Sequence, residues 1–534
     1  MALPMFATVT LLFSLLAAIV VLATIAARFH LPYAIVLVLG GLALGFVPGL
    51  PSIQLDPHLL LFLMLPPLIY SSAWMTSWEA FRSNLRPILL LAVGLVLATM
   101  TVVAVVAHTL IGLAWPAGFV LGAVVAPTDV VAASATARSA GLSRRLVTVI
   151  EGESMVNDAT ALVVYRFAET AVIAGSFSPV QAIWQFVLVS LGGLLAGLAV
   201  SWPVAWFHHR LDDPLIEIAL TLLTPFAAYL LAETLHASGF LAVVAAGLYL
   251  SRQSSRFFSS STRLQANAVW EVLVFLLNSF LFLLIGLQLR TILSGLSERA
   301  PLTLLWYAFL VWLTIVVVRM LWVIPSAFPS ILPRRHRAHP QEPPAWRSVL
   351  IVGWTGMRGA VSLAAALALP QIIASGKLFP DLDLILFLTF CVILFTLVGQ
   401  GLSLGPLIRQ LHLPVDEAHE QEYNQAHLAA ARAALARLDE LASEEWVSEE
   451  DLAHVRSLYE SKIHDYTTRV GEAVQDSAQV GNRSENRRRL RHEVLQAERA
   501  AAIHLRDRGR IDDEVLRLME RELDLEEQRL QTNR

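Results

Sequence analysis

Ionisable and hydroxyl side chains interrupt an apolar stretch near residues 147–172. Ser154 and Asp158 are four residues apart, as are Glu153 and Asn157, so a helix places each pair on one face. The helix then offers a carboxylate with a hydroxyl beside a carboxylate with an amide. Oxygen ligands of this kind suit hard cations such as Na⁺. The pattern predicts a cation site centred on Asp158, because a structural ion pair explains Glu153 well and Asp158 poorly.

A second apolar stretch, near residues 116–137, contains a helix-breaking residue beside a charge. Pro127 removes a helix hydrogen bond, and Thr128 and Asp129 follow it directly. A broken helix is tolerated in a membrane where its freed backbone lines a cavity, and its half-helix ends then act as partial charges beside an ion. A simple proline kink is the alternative, and Asp129 beside the break argues against it.

A third stretch, near residues 348–373, contains Arg358 among glycines that weaken the helix. An arginine inside a membrane requires an anionic or carbonyl partner. Glu153 is the expected partner, although the C-terminal end of a half-helix would also serve. For Arg319, in a separate apolar stretch, we expect a structural ion pair.

The composition around these residues is that of a membrane protein. Hydrophobic residues make up 56% of the 534 residues and charged residues 15%, whereas a soluble protein has about 25% charged residues. With the N-terminus outside, the connections predicted to be cytoplasmic contain 15 basic residues and the opposite ones 3, as the positive-inside rule requires. Windows of bilayer-spanning length occur near residues 5–27, 31–48, 55–74, 86–112, 116–137, 147–172, 180–207, 214–234, 238–251, 268–289, 302–325, 348–373 and 382–408.

We therefore expect an all-α polytopic membrane protein with about thirteen transmembrane helices, the first of which is retained rather than cleaved as a signal peptide. The two interrupted stretches are the fifth and twelfth windows, so they cross the membrane in opposite directions. Interrupted helices in such positions indicate inverted repeats with a binding site at the midplane. Span three, the third of these windows, has Tyr70 and Ser71 after a Pro-Pro pair and could line the same cavity.

The composition changes after Pro414, which predicts a transmembrane domain at residues 1–414 and a cytoplasmic helical tail at 415–534. Residues 1–415 contain 16 acidic and 21 basic residues, and the last 119 residues contain 27 acidic and 18 basic ones. Leucine and alanine recur in the tail at helical spacing. We expect a small helical bundle or dimerisation element there, with a regulatory sensor as the alternative, and no nucleic-acid partner. The single cysteine, Cys391, excludes disulfides within the chain.

Three segments resemble motifs of a known family. VAPTDVVAAS, EGESMVNDATALV and GMRGAVSLAAALALP, in this order and spacing, resemble the monovalent cation/proton antiporter-1 family, which includes the NhaP-type Na⁺/H⁺ exchangers of bacteria. The resemblance covers roughly residues 10–410. It implies a homodimer in the bacterial inner membrane that exchanges Na⁺, or Li⁺ or K⁺, for H⁺. It also implies a transporter rather than an enzyme, with no cofactor besides the transported ions.

The resemblance also implies the ligands of the ion. Asp158 would bind Na⁺ or H⁺ in turn, Ser154 and the backbone carbonyl of Thr128 would be further ligands, and Asp129 would act directly or through water. Burial disfavours the charged carboxylate, so H⁺ and Na⁺ would compete for one site. If only the occupied forms cross easily, competition alone yields exchange.

The remaining motif residues would be structural. Asn157 would tie span six to the broken span five, and Glu153 and Arg358 would form an ion pair. The Asn-Asp pair at 157–158 marks the electroneutral branch of the family, which exchanges one Na⁺ for one H⁺. This sequence departs from several relatives in span three, where Tyr70-Ser71-Ser72 replaces a segment with an acidic residue.

Three other functions are alternatives. A Na⁺- or H⁺-coupled carrier of a small organic anion would need a cationic substrate site, for which Arg358 is the candidate. An intramembrane hydrolase using Ser154 would need a His or Lys base nearby, and none lies at mid-membrane depth in the broken helices. A passive channel would not need a titratable carboxylate buried beside an amide.

Overall fold

A computed structural model describes residues 5–29, 31–47, 57–129, 142, 144–174, 179–294, 296, 299–331, 345–370, 379–411, 417–443 and 447–472. Within these ranges the regular structure is entirely helical. The chain forms two compact units, Met1–Val415 and Asp416–Arg534. The all-α prediction is therefore confirmed for the part of the chain that the structure describes.

The described helices of the first unit follow the apolar windows of the sequence. They are α1 Met5–Arg28, α2 Tyr33–Gly45, α3 Pro57–Met75, α4 Trp78–Ser83, α5 Leu85–Ile111, α6 Trp115–Val125, α7 Arg144–Ala174, α8 Pro179–His208, α9 Pro214–Thr234, α10 Gly239–Phe257, α11 Ser260–Ser294, α12 Pro301–Ile331, α13 Ala345–Trp354, α14 Ala360–Leu367 and α15 Leu382–Leu411.

Six of these helices are long and apolar enough to cross a membrane by length and composition, namely α5, α8, α9, α11, α12 and α15. Shorter apolar helices lie within α1, α2, α3 and α6. The helix α7 has the length of a span, but its acidic and basic residues lower its hydropathy. The structure thus supports a multi-pass membrane protein, and the count of thirteen spans stays a prediction.

Glycine residues bring helices α2 and α11 into backbone contact. Gly41 of α2 lies against the Leu283 carbonyl of α11, and Gly286 of α11 lies against the Val38 carbonyl of α2, with no room for a Cβ atom at either glycine. Close approach through glycine is typical of helix packing in membranes. The contact fixes α2 and α11 relative to each other beside the candidate site.

The structure shows the second predicted break and the beginning of the first. The helix α6 ends at Val125 and is followed by residues 126–129, which belong to no helix, while the second half of the predicted span five, from residue 130 onward, lies outside the described residues. The second break separates α13 from α14 at residues 355–359. The two breaks meet, because the Asp129 backbone N–H donates a hydrogen bond of 2.8 Å to the Met357 carbonyl. The inverted repeat itself stays a prediction.

A wide helical turn in α15 supports the second break. Residues Phe395–Gln400 form a π-helical segment, a feature often found at functional sites. Within it, Thr396 Oγ1 accepts a hydrogen bond of 3.0 Å from the Arg358 backbone N–H and donates one to the Ile393 carbonyl. The break is therefore held by a side chain of a neighbouring helix.

The second unit contains two described helices, α16 Glu417–Leu441 and α17 Glu449–Glu472. Ser448 Oγ accepts a hydrogen bond from the Asp451 N–H at 3.1 Å and contacts its carboxylate at 2.6 Å, which caps the start of α17. His427 of α16 stacks on Tyr466 of α17, with ring centroids 4.9 Å apart. The helical character predicted for this region is confirmed for these residues.

Candidate ion-binding site

A cavity of about 360 Å³ lies where the two helix breaks meet helices α2, α3, α7 and α11. The four residues that the family resemblance implies as ion ligands all line it: Asp158, Ser154, Thr128 and Asp129. The structure therefore brings together residues that come from α7 and from the break after α6. What the cavity does chemically depends on which of their polar atoms are already engaged.

Two side chains of α7 are bound to the first break. Ser154 Oγ donates a hydrogen bond of 2.5 Å to the Thr128 carbonyl, and Asn157 Nδ2 donates one of 2.6 Å to Thr128 Oγ1. All three residues are at most 5% exposed. Asn157 thus makes the tie between span six and the broken span five that the sequence predicts. The same contacts hold the Thr128 carbonyl beside Ser154.

The carboxylate of Asp158 has an oxygen, Oδ1, with no hydrogen-bond partner within the described residues, as does the amide oxygen of Asn157. Asp158 is partly exposed to the cavity, and the charges of Asp129 and Arg358 both act on it. A buried acceptor without a donor is uncommon in proteins and calls for an explanation. A cation or a proton would satisfy it.

The two breaks place opposite charges at their helix ends. Arg358 Nη1 donates a hydrogen bond to the Ala126 carbonyl at the C-terminus of α6. The Asp129 carboxylate lies so close to Gly359 that a Cβ atom there would overlap it, and Gly359 is the cap of the α14 N-terminus. A cation at a helix C-terminus and an anion at an N-terminus are each favourable. Arg358 and Asp129 therefore stabilise the interrupted backbone.

The predicted ion pair between Glu153 and Arg358 is wrong. Glu153 pairs with Arg319 of α12 through two parallel hydrogen bonds of 2.5 and 2.9 Å, and both side chains are at most 2% exposed. Arg319 also donates to the Val352 carbonyl, so its planar guanidinium is well satisfied. The prediction that Arg319 forms a structural ion pair is confirmed. Arg358 binds the C-terminal end of a half-helix instead, which was the alternative partner that the sequence allowed.

The cavity also contains polar residues that the ligand prediction missed. Asn278 of α11 and Ser362 of α14 line it, as does Tyr33 of α2. A lone amide in the apolar window VLVFLLNSFLFLLIG was the available signal for Asn278. Ser71 of span three lines the cavity as predicted, whereas Tyr70 packs on Trp270, with ring centroids 5.3 Å apart.

The charged residues near the ends of α7 lie apart from the ligand pair. Arg166 forms an ion pair of 2.9 Å with Glu233 of α9, and the two side chains are 48% and 29% exposed. Glu151 lies at the lining of the cavity and is partly exposed. Neither residue joins the hydrogen bonds at the Thr128 carbonyl that the structure records.

The cavity chemistry argues against two of the alternatives. Among the described residues that line it, none is Arg, Lys or His. Arg358 is directed to the Ala126 carbonyl instead. A carrier of organic anions therefore lacks its expected cationic contact in this cavity, and a hydrolase using Ser154 lacks its expected base.

Comparisons with known proteins agree with the geometry. Residues 14–410 match the family model described as sodium/hydrogen exchanger, transmembrane. An uncharacterized Na⁺/H⁺ exchanger of Mycobacterium tuberculosis is 37% identical over 97% of this chain and 95% of its own length. A protein of Bacillus pumilus named sodium, potassium, lithium and rubidium/H⁺ antiporter is 32% identical over 91% of this chain and 73% of its own length.

A solved structure supports the fold separately. The sodium proton antiporter MjNhaP1 of Methanocaldococcus jannaschii superposes with a TM-score of 0.61, covering 76% of this chain and 99% of that one at 20% identity. This likeness shows the fold alone. Taken with the family match over most of the membrane unit, it leaves one assignment. The chain belongs to the sodium/hydrogen exchanger family, whose members are membrane transporters that exchange cations for protons and not enzymes.

Proposed function

We propose that this chain is a secondary active antiporter that exchanges Na⁺ for H⁺, with Asp158 binding the cation or the proton in turn. The observation that supports this most is the Asp158 carboxylate, which lines the cavity with Oδ1 unpartnered. Its neighbours supply further oxygen atoms, the Ser154 hydroxyl and the Thr128 carbonyl, 2.5 Å apart. A bound Na⁺ would replace that hydrogen bond by two ion–oxygen contacts.

Competition at one carboxylate is sufficient to couple the two ions. Asp158 lies in the interior of the membrane unit, where burial disfavours a bare carboxylate. The empty, charged form is therefore costly to move across the membrane, while the Na⁺-bound and protonated forms are both neutral. One carboxylate then carries one Na⁺ in one direction and one H⁺ in the other, so the exchange is electroneutral.

The proposed transporter has thirteen spans in the bacterial inner membrane, with the N-terminus outside, the helical tail in the cytoplasm, and a homodimeric assembly. The charge asymmetry of the connections supports this orientation. The cavity extends from Asp158 to Met75 and Glu151, which lie at the predicted cytoplasmic ends of spans three and six. The conformation described here is accordingly one that offers the site to the cytoplasmic side.

Proton flux in sealed proteoliposomes tests this function. We expect addition of Na⁺ to drive H⁺ movement through the wild-type protein, measured with a pH-sensitive dye, and Li⁺ and K⁺ added in turn would define the cation range. Asp158→Asn removes the titratable group and should abolish the flux. Glu233→Gln, at the exposed end of α9, is the matched control and should retain it. Na⁺-driven flux through Asp158→Asn would refute the proposal.

Electroneutrality predicts a second result in the same vesicles. Because each cycle moves no net charge, an imposed membrane potential should leave the initial rate of Na⁺-driven H⁺ flux unchanged. A carrier that moves unequal charges would respond, since about 2.3 kcal/mol acts on each elementary charge per 100 mV. A rate that depends steeply on the potential would contradict one-for-one exchange while leaving antiport itself intact.

A further inference from the structure

Two buried polar side chains in the cavity are unexplained by the site described so far. Asn278 of α11 is 3% exposed and Ser362 of α14 is 1% exposed. Asn278 Nδ2 and Ser362 Oγ have no hydrogen-bond partner among the described residues, and both residues line the same cavity as Asp158. They belong to helices other than α7.

Leaving such groups unpaired is costly. A buried donor or acceptor without a partner costs about 1–3 kcal/mol, and most buried polar side chains in proteins are paired. An apolar residue of similar size would avoid this cost in a purely structural role. The unpaired hydroxyl oxygen of Ser362 can bind a cation directly. The unpaired atom of Asn278 is the Nδ2 donor, so this side chain can bind a cation only through its amide oxygen.

The surrounding backbone holds both residues firmly at the cavity. Ser362 lies three residues after Gly359, whose backbone abuts the Asp129 carboxylate. Asn278 lies on the helix that is locked to α2 by the contacts of Gly41 and Gly286. Because no acceptor engages Asn278 Nδ2, the amide is free of that constraint and can turn its oxygen toward a cation.

We propose that Asn278 and Ser362 supply two further oxygen ligands to the transported cation and determine which alkali cation is preferred. The inference rests on the proposed function, because it concerns the same ion at the same cavity. Neutral oxygen ligands change the coordination number without changing the charge of the site. Selectivity between cations depends on cavity size, ligand number and flexibility.

The direction of the effect follows from ion size. Li⁺ is satisfied by few oxygen ligands, whereas Na⁺ and K⁺ need more of them. Removing one ligand should therefore weaken transport of the larger cations more than that of Li⁺. We expect Asn278→Ala and Ser362→Ala each to lower the ratio of kcat/KM for Na⁺ to that for Li⁺ by about fivefold, the effect of losing one polar contact of ordinary strength.

Two buried residues provide matched controls. Ser279 and Thr389 are both 0% exposed and also have unpartnered hydroxyl groups within the described residues, but neither lines the cavity. Ser279→Ala and Thr389→Val should leave the Na⁺-to-Li⁺ ratio at the wild-type value. The ratio is measured from initial rates of H⁺ flux in proteoliposomes, with Na⁺ or Li⁺ added to protein of verified monodispersity.

The outcomes separate this inference from the proposed function. An unchanged ratio in Asn278→Ala and Ser362→Ala, with wild-type exchange intact, overturns the inference alone, as does an equal shift in Ser279→Ala. If the alanine variants fail to fold, Asn278→Ser and Ser362→Cys replace them and must show the same lowered ratio. Absence of cation-driven H⁺ flux in the wild-type protein would instead overturn the proposed function.

Discussion

At the scale of single residues, the polar side chains of α7 are sorted by their partners. Ser154 and Asn157 are bound to Thr128, and Glu153 is bound to Arg319. Asp158 alone of these keeps a carboxylate oxygen without a partner in the described part of the chain. Spacing along the helix predicts which residues share a face, whereas the hydrogen-bond partners distinguish Asp158 from Glu153.

The sequence could not choose the partner of Glu153. Arg319 and Arg358 both lie in apolar windows, so each satisfies the rule that a buried cation needs a counter-charge. The choice depends on which helix crosses α7 at the depth of Glu153. That is a matter of helix packing, and a single sequence does not contain it.

The Glu153–Arg319 pair predicts a specific stability result. Arg319→Gln leaves Glu153 as an uncompensated buried carboxylate, which should cost about 3–5 kcal/mol. Arg166→Gln breaks a partly exposed ion pair and should cost about 1 kcal/mol or less. Thermal unfolding of the two variants in the same detergent compares them directly. Equal melting temperatures for Arg319→Gln and the wild type would show that the pair is not structural.

At the scale of helices, the positions of the two breaks can be predicted from the sequence, whereas the contacts that hold the breaks cannot. Pro127 and the glycines around Arg358 indicate where the helices are interrupted. The wide turn at Phe395–Gln400 that holds the second break lies in a window that reads as a continuous apolar helix. The hydrogen bond from the Arg358 backbone N–H to Thr396 lies within this turn, and hydropathy does not report it.

The contact between the breaks predicts the effect of adding one methyl group. A Cβ atom at Gly359 would overlap the Asp129 carboxylate, so Gly359→Ala must displace that charge from the cavity. We expect Na⁺-driven H⁺ flux to fall about tenfold or more, since a 1 Å misplacement can cost about 10²-fold. Gly399→Ala, where a Cβ atom would meet nothing within 4 Å, should keep wild-type flux. Similar flux in both variants would contradict a role for the Asp129 position.

At the scale of the whole molecule, hydropathy predicts the positions of the long helices, and the motifs point to the candidate site. The predicted windows near residues 180–207 and 214–234 correspond to Pro179–His208 and Pro214–Thr234. The cavity itself was beyond the sequence, because it exists only where α2, α3, α7 and α11 converge on two breaks. For the same reason Asn278 and Ser362 became visible only when the helices were placed together.

Competition between Na⁺ and H⁺ at Asp158 is the central claim, and the pH dependence of Na⁺ transport tests it most directly. The measurement is the initial rate against Na⁺ concentration at several pH values on the side from which Na⁺ binds. If one proton excludes one Na⁺, the KM for Na⁺ should rise toward about tenfold per unit fall in pH while kcat stays constant. A KM that is independent of pH, with acid lowering only kcat, would show that the two ions do not share Asp158.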